Sequence, residues 1–178
     1  LVAGISMEAG IAMNMMERHP DRLLGAILIR PAWLDCDEPD NLKILKKAAL
    51  YMQRGKSYQS FAKTKEIQTL ETSLPNAVRS ISKQFERIQG AISTSQLLKT
   101  MIADKPINKL SSLSSFFKPC LIFCSDNDPT HPKGYGRLIH SVLPNASLEQ
   151  VHSKYIDAEI HITEIQAATK SFIAAQFP

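Results

Sequence analysis

The sequence lacks several features that define whole classes of protein. Its longest apolar run, residues 23–29, is far below the roughly 20 residues needed to cross a bilayer, which excludes a transmembrane protein. Three cysteines in 178 residues are too few for a disulfide-dense secreted scaffold. Cys120 and Cys124 lie in an apolar stretch, where we expect buried free thiols. This cysteine usage indicates a reducing compartment and predicts a cytoplasmic location.

The charge is modest overall and unevenly placed. The net charge is +4, yet residues 36–110 contain 13 Lys and Arg against 7 Asp and Glu, so the excess of positive charge lies there. Aromatic residues make up only 7% of the chain and do not alternate with these lysines, as single-stranded nucleic acid would require. We therefore expect no nucleic-acid partner and interpret the basic residues as solvated faces of amphipathic helices.

Short apolar runs alternate with helical patterns in the two ends of the chain. The runs predict buried strands at residues 1–5, 23–29, 120–124 and 147–151. The helical patterns cover residues 7–18, 132–143 and 162–177. Alternating strands and helices predict an α/β fold with a mainly parallel sheet and flanking helices.

The middle of the chain follows a helical rather than a strand period. One stripe of apolar residues runs through Leu42, Leu45, Ala49 and Met52, and another from Leu74 to Ile88. We therefore divide the chain into core residues 1–35, a helical insertion at 36–110 and core residues 111–178.

Ser6 lies directly between a predicted strand and a predicted helix, in Gly4-Ile5-Ser6-Met7-Glu8. On such a sharp turn the hydroxyl projects above the carboxyl edge of the sheet, and the N–H of Met7 faces the position of a developing oxyanion. The small Gly4 leaves room for the turn. The alternative is that Ser6 is simply a helix N-cap.

Acidic residues and a histidine follow further along the chain. Asp126 and Asp128 come just after the strand at 120–124, and His161 precedes the last helix. We expect Asp128, directly before Pro129, to orient His161, which gives the chain order Ser, Asp, His. His131 beside the two aspartates also raises the possibility of a metal site. No helical HExxH spacing supports one, so we expect no metal.

These motifs together resemble the α/β-hydrolase fold family, from the nucleophile elbow onward. Gly4-Ile5-Ser6-Met7-Glu8 is similar to the elbow, Asn127-Asp128-Pro129 to the acid turn, and His161 with Glu164 to the closing histidine segment. The resemblance implies that the insertion is a helical cap, with Trp33 and Met101 as candidates for lining a substrate pocket. It also implies a serine hydrolase that acts on an ester, thioester or related acyl compound and needs no cofactor.

The resemblance assigns roles to the candidate residues. Ser6 would be the nucleophile, His161 the general base and acid, Asp128 the residue that orients the imidazole, and Met7 an oxyanion donor. Glu8 departs from the family pattern, which has a small residue two positions after the nucleophile. A carboxylate there favours an alternative function, a binding or interaction module that has kept the fold and lost turnover.

The chain also starts abruptly for this fold, because only five residues precede Ser6. α/β-Hydrolases have several strands before the elbow, and a loop after one of them supplies a second oxyanion donor. We therefore expect these 178 residues, expressed alone, to lack efficient activity and to self-associate through an exposed first strand.

Overall fold

The four predicted strands form one parallel sheet in a computed structural model that describes residues 1–178. Their order is β1-β2-β3-β4, and each strand runs parallel to its neighbours. The strands are β1 (Val2–Ile5), β2 (Ala26–Ile29), β3 (Cys120–Cys124) and β4 (Ala146–Gln150). The expected α/β architecture is confirmed. Because the strands are parallel, their carboxyl ends meet at one edge of the sheet.

Eight α-helices accompany the sheet, and none of them is both long and apolar enough to cross a membrane. They are α1 (Met7–Arg18), α2 (Lys43–Gln53), α3 (Tyr58–Ala62), α4 (Lys65–Ser73), α5 (Pro75–Ser82), α6 (Gly90–Ile102), α7 (Lys133–Val142) and α8 (Ala158–Gln176). The last helix begins four residues earlier than the sequence predicts. Asp157 caps it by accepting a hydrogen bond from the Ile160 N–H at 2.9 Å, which places His161 inside the helix rather than in a loop.

Side chains pack on both faces of the sheet, as its apolar strands require. On one face, residues of α1 and α7 pack against Leu28 and Ile122. On the other face, Ile27, Leu121 and Phe123 contact the inner side of α8. Cys120 and Cys124 are buried free thiols, and burial raises the pKa of Cys120 to about 12.

Gly4 allows β1 to pass directly under the start of α1. A Cβ atom at this position would lie 2.1 Å from the carbonyl oxygen of Glu8 and 2.5 Å from the amide nitrogen of Ala9. Those contacts are with backbone, which cannot turn aside, so only glycine fits. The tight turn that presents Ser6 depends on this missing side chain.

Residues of the helical segment form a compact unit of their own, Asp37–Asp104, and the rest of the chain forms the other. The helical unit is shorter than the insertion expected at 36–110, since Lys105–Leu110 groups with the sheet. Its core centres on Met52, Phe61 and Leu98. Lysines of this unit pair with carboxylates at its surface, for example Lys47 with Glu66 at 2.7 Å.

Candidate active site

Ser6 connects β1 to α1 in a strained backbone conformation. Its φ is 60° and its ψ is −110°, and its N–H donates to the carbonyl of Ile29 at 2.9 Å. The side chain makes no capping hydrogen bond to α1, so the simple N-cap interpretation does not describe it. Instead, the hydroxyl points to an imidazole: Ser6 Oγ lies 2.8 Å from His131 Nε2.

Backbone strain gathers at the same edge of the sheet. Four non-glycine residues have a positive φ, and three of them follow neighbouring strands: Ser6 at 60°, Arg30 at 51° and Asn127 at 52°. Each such residue costs of order 1 kcal/mol and persists only where the surroundings impose it. These three strained positions mark the carboxyl edge of the sheet as the candidate site.

His131 is the histidine that faces Ser6, which corrects the arrangement expected from the sequence. Its Nδ1 lies 2.8 Å from Asp128 Oδ1, while its Nε2 lies 2.8 Å from Ser6 Oγ. The loop after β3 therefore supplies both the acid and the imidazole, only three residues apart. The Asp-x-x-His spacing within one loop is the sequence signal that points to His131. The resemblance to the family points instead to His161, before the last helix.

His161 makes a different contact. It is buried in the first turn of α8, and its Nδ1 lies 2.6 Å from the carbonyl oxygen of His152. Because a carbonyl can only accept, Nδ1 carries the proton and Nε2 keeps its lone pair. Burial lowers the pKa of His161 below the usual value, with the nearby charges of Arg30 and Lys154 acting in the same direction. His161 does not form the hydrogen bond to Ser6 that the sequence predicted.

Asp128 is fully buried and held from two sides. Its Oδ1 faces His131 and also accepts from the Thr130 and His131 N–H groups at 3.3 and 3.2 Å, and its Oδ2 accepts from Arg30 Nε at 2.8 Å. Burial alone raises the pKa of Asp128, but the hydrogen bond and charge of His131, together with Arg30, lower it to about 2. Asp128 is therefore an ionised carboxylate at neutral pH.

The neighbouring acid takes no part in this network. Asp126 is exposed and accepts hydrogen bonds from Lys133 Nζ at 3.0 Å and Gln150 Nε2 at 2.8 Å. No group of three His, Cys, Asp or Glu side chains could hold a metal ion. The loop after β3 thus separates a surface acid, Asp126, from a buried one, Asp128, and the role of Asp128 in orienting a histidine stays a prediction.

The protonation of His131 decides what this arrangement can do. Burial lowers its pKa, Asp128 raises it, and Arg30 and Lys154 lower it again, with a net shift below the usual value. The imidazole is therefore neutral at neutral pH. In the tautomer that carries its proton on Nδ1 and donates it to Asp128, Nε2 keeps its lone pair toward the Ser6 hydroxyl, which is the orientation of a general base.

The remaining sequence candidates occupy separate places. Met7 is the first residue of α1, so its N–H is among the amides that a helix start leaves without an intrahelical acceptor. Trp33 is buried in the sheet unit with no partner for its Nε1, whereas Met101 packs against the core of the helical unit. The Glu8 side chain is exposed. A pocket lined by Trp33 and Met101 stays a prediction.

No protein-family model matches the sequence, and no curated protein matches it either. Solved structures do. MenH from S. aureus has a TM-score of 0.69 and 14% identity, and the match covers 99% of this chain and 68% of that one. A thermophilic esterase from Thermogutta terrifontis has a TM-score of 0.61 and 16% identity, covering 96% and 64%.

A third similar structure is described as an alpha/beta hydrolase. MGS-M2, an alpha/beta hydrolase enzyme from a Medee basin deep-sea metagenome library, has a TM-score of 0.65 and 16% identity, covering 97% of this chain and 64% of that one. The chain therefore has the α/β-hydrolase fold and spans about two thirds of the length of these structures. At such identities the likeness establishes the fold, and the chemistry depends on the site.

Proposed function

We propose that the protein is a serine hydrolase that acts on an ester, thioester or related acyl compound. The observation that carries this proposal is one continuous chain of hydrogen bonds. Ser6 Oγ lies 2.8 Å from His131 Nε2, and His131 Nδ1 lies 2.8 Å from Asp128 Oδ1. A hydroxyl, an imidazole and a buried carboxylate in this order are the components of a nucleophilic triad. The esterase among the structural neighbours supports the same chemistry.

The first half of the proposed reaction is acylation. Ser6 Oγ bonds to the acyl carbon as its proton passes to His131 Nε2, and the Met7 N–H donates to the developing oxyanion. Asp128 stabilises the imidazolium that forms without taking its proton. When the tetrahedral intermediate collapses, the bond to the leaving group breaks and that group takes the proton from Nε2. The acyl group is then an ester of Ser6.

The second half regenerates the site. A water molecule gives a proton to His131 Nε2 and bonds to the acyl carbon. Collapse of this second intermediate breaks the bond to Ser6 Oγ, which recovers its proton from Nε2 as the carboxylic acid leaves. His131 thus acts first as base and then as acid in each half, which requires it to be neutral at the start. Its lowered pKa is consistent with that requirement.

The competing proposal is a binding module without turnover, suggested by Glu8. The exposed position of that side chain removes steric crowding of the turn as a reason for lost activity. Its charge stays near the oxyanion position, since Glu8 lies in the first turn of α1. Trp33 and Met101 remain the candidates for substrate contact in either proposal.

A fluorophosphonate probe on the full-length protein separates the two proposals. Such a probe phosphonylates a serine only where a base activates its hydroxyl, so we expect one labelled site, lost in Ser6→Ala. Ser147→Ala is the matched control, because Ser147 is an exposed serine outside the site and its loss should leave labelling intact. A folded protein that the probe does not label would contradict the hydrolase and support the binding module.

A further inference from the structure

Arg30 is a buried cation that the proposed reaction does not use. Only 4% of it is exposed, directly after the end of β2. A guanidinium is unfavourable out of water unless close partners compensate for the lost hydration. Because Arg30 is buried beside the candidate triad, it cannot serve solubility as surface arginines do, and its role must lie in its contacts with neighbouring groups.

Backbone, ring and carboxylate contacts fix the position of the Arg30 side chain. Its backbone adopts a φ of 51°, and its N–H donates to the carbonyl of Phe123 on β3 at 3.0 Å. The guanidinium lies 5.7 Å from the centre of the Tyr155 ring. The third contact is with Asp128. An arginine held by backbone, ring and carboxylate has little freedom to take another rotamer, so its charge stays in one place.

The contacts to Asp128 divide the carboxylate between two partners. Arg30 donates from Nε at 2.8 Å, and its Nη2 forms an ion pair at 2.5 Å, both with Oδ2. Oδ1 faces Nδ1 of His131 at 2.8 Å and also accepts from the backbone N–H groups of Thr130 and His131. Two charge-assisted contacts from one planar guanidinium hold Oδ2 more strictly than a single contact does. Arg30 therefore holds Oδ2 from one side, while the backbone of the loop and the imidazole hold Oδ1 from the other.

Arg30 also lies against the imidazole itself. Its Nη2 is 2.9 Å from His131 Nδ1. A guanidinium can only donate, so this contact is not a hydrogen bond when Nδ1 carries the proton that it gives to Asp128. It instead places a fixed positive charge beside the group that must stay neutral to accept a proton. The other charges that act on His131 are Asp128 from its own loop and Lys154 from the segment after β4. Asp128 favours the imidazolium, whereas Arg30 and Lys154 oppose it.

We propose that Arg30 is a positioning residue that orients the Asp128 carboxylate and, through its charge, keeps the neighbouring imidazole neutral. This inference rests on the proposed function for its kinetic consequence. Its electrostatic consequence does not depend on turnover, because the charge state of His131 is a property of the resting protein.

The test compares two variants. Arg30→Met removes the charge, whereas Arg30→Lys keeps the charge but loses the contact of two nitrogens, Nε and Nη2, with Asp128 Oδ2. Arg22→Met is the matched control, since Arg22 is exposed. NMR titration of the His131 imidazole should give a pKa raised by about one unit in Arg30→Met, near wild type in Arg30→Lys and unchanged in Arg22→Met. Thermal melts of all three variants establish that the protein titrated is folded.

The kinetic measurement follows the same variants on a simple ester. We expect kcat/KM to fall about 100-fold in Arg30→Met, because the acid is no longer held in place. The acid limb of its pH profile should move to higher pH with the imidazole pKa. Arg30→Lys should lose less activity and keep the limb of the wild type.

Three outcomes would overturn the proposal. One is an Arg30→Met protein with wild-type kinetics and an unchanged His131 titration. Another is lower activity with no shift of titration or pH limb, which would make Arg30 merely structural. The third applies if Arg30→Met does not fold. In that case, a shifted pKa of His131 in Arg30→Lys, which keeps the charge, would contradict the proposal. A wild type without hydrolysis or probe labelling would contradict the proposed function alone, because the imidazole titration would still test Arg30.

Discussion

The last two strands of the sheet are each followed by a segment that carries a buried histidine, and the two segments differ in what that histidine contacts. After β3, His131 lies between Ser6 and Asp128, with both contacts at 2.8 Å. After β4, His161 turns to the backbone of its own segment, the carbonyl of His152. Burial and position near the carboxyl edge are therefore common to both histidines, and only the partners distinguish them.

The segment after β4 contacts the loop after β3 and holds it in place. Ser153 Oγ donates to the carbonyl of Asn127 at 3.0 Å, and Tyr155 packs near the Arg30 guanidinium. In the proposed function, the loop after β3 would supply the reacting groups, and the segment after β4 would supply contacts that hold the strained loop. Variants in each segment test whether the reacting groups and the supporting contacts are divided in this way.

The largest expected effect comes from exchanging the two histidines for glutamine, one at a time. His131→Gln removes the only imidazole bonded to Ser6, so kcat on an ester should fall by about 10⁶-fold, as loss of the base in a triad does. His161→Gln should leave most of the activity. Steady-state kinetics on the folded full-length variants measures both. Loss of turnover in His161→Gln, with His131→Gln active, would reverse the division between the segments.

A second, somewhat smaller effect distinguishes the two acids of the loop after β3. Asp128→Asn keeps the shape but allows His131 the wrong tautomer, so kcat should fall about 10⁴-fold. Asp126→Asn is the matched control, because it removes a surface carboxylate that bonds only Lys133 and Gln150. The same kinetics apply. A damaging Asp126→Asn beside a mild Asp128→Asn would show that the buried carboxylate does not orient the base.

The sequence predicted the sheet and the elbow because local rules determine them. Apolar runs located the strands, and Gly4 and Ser6 between a strand and a helix located the turn. Only β2 and β3 are buried throughout, as the sequence predicted for all four strands, because β1 and β4 lie at the edges of the sheet and are partly exposed. Residues at Met7–Arg18 follow a helical period and form the helix predicted for them. The stripe proposed through Ile88 fails, because a 3₁₀ turn at Lys83–Glu86 ends the period and leaves Ile88 exposed.

Chain order alone cannot decide which histidine contacts Ser6. Both His131 and His161 follow Asp128, so the order Ser, Asp, His fits either one. The choice depends on where each ring turns, which is set by long-range contacts with Ser6 and with the His152 carbonyl. Arg30 was missed for a similar reason: in the sequence it is one basic residue after a strand, and only the fold brings it to Asp128.

The smallest predicted effect tests whether the segment after β4 is a support. Ser153 is buried, donates to the Asn127 carbonyl and accepts from the Tyr155 N–H at 3.2 Å. Ser153→Ala leaves both backbone groups without this partner, so the free energy of unfolding should fall by about 1–3 kcal/mol. Turnover should fall only a few-fold, since no reacting group is removed. Urea unfolding and ester kinetics give the two numbers.

Ser141→Ala is the matched control for that variant. Its hydroxyl also donates to a backbone carbonyl, that of Leu138 at 2.8 Å, but on the exposed side of α7 where water can replace it. Its stability should stay within about 0.5 kcal/mol of wild type. If Ser153→Ala were as stable as this control yet lost turnover by orders of magnitude, the segment after β4 would take part in the chemistry. The loop after β3 would then not be the only source of reacting groups beside Ser6.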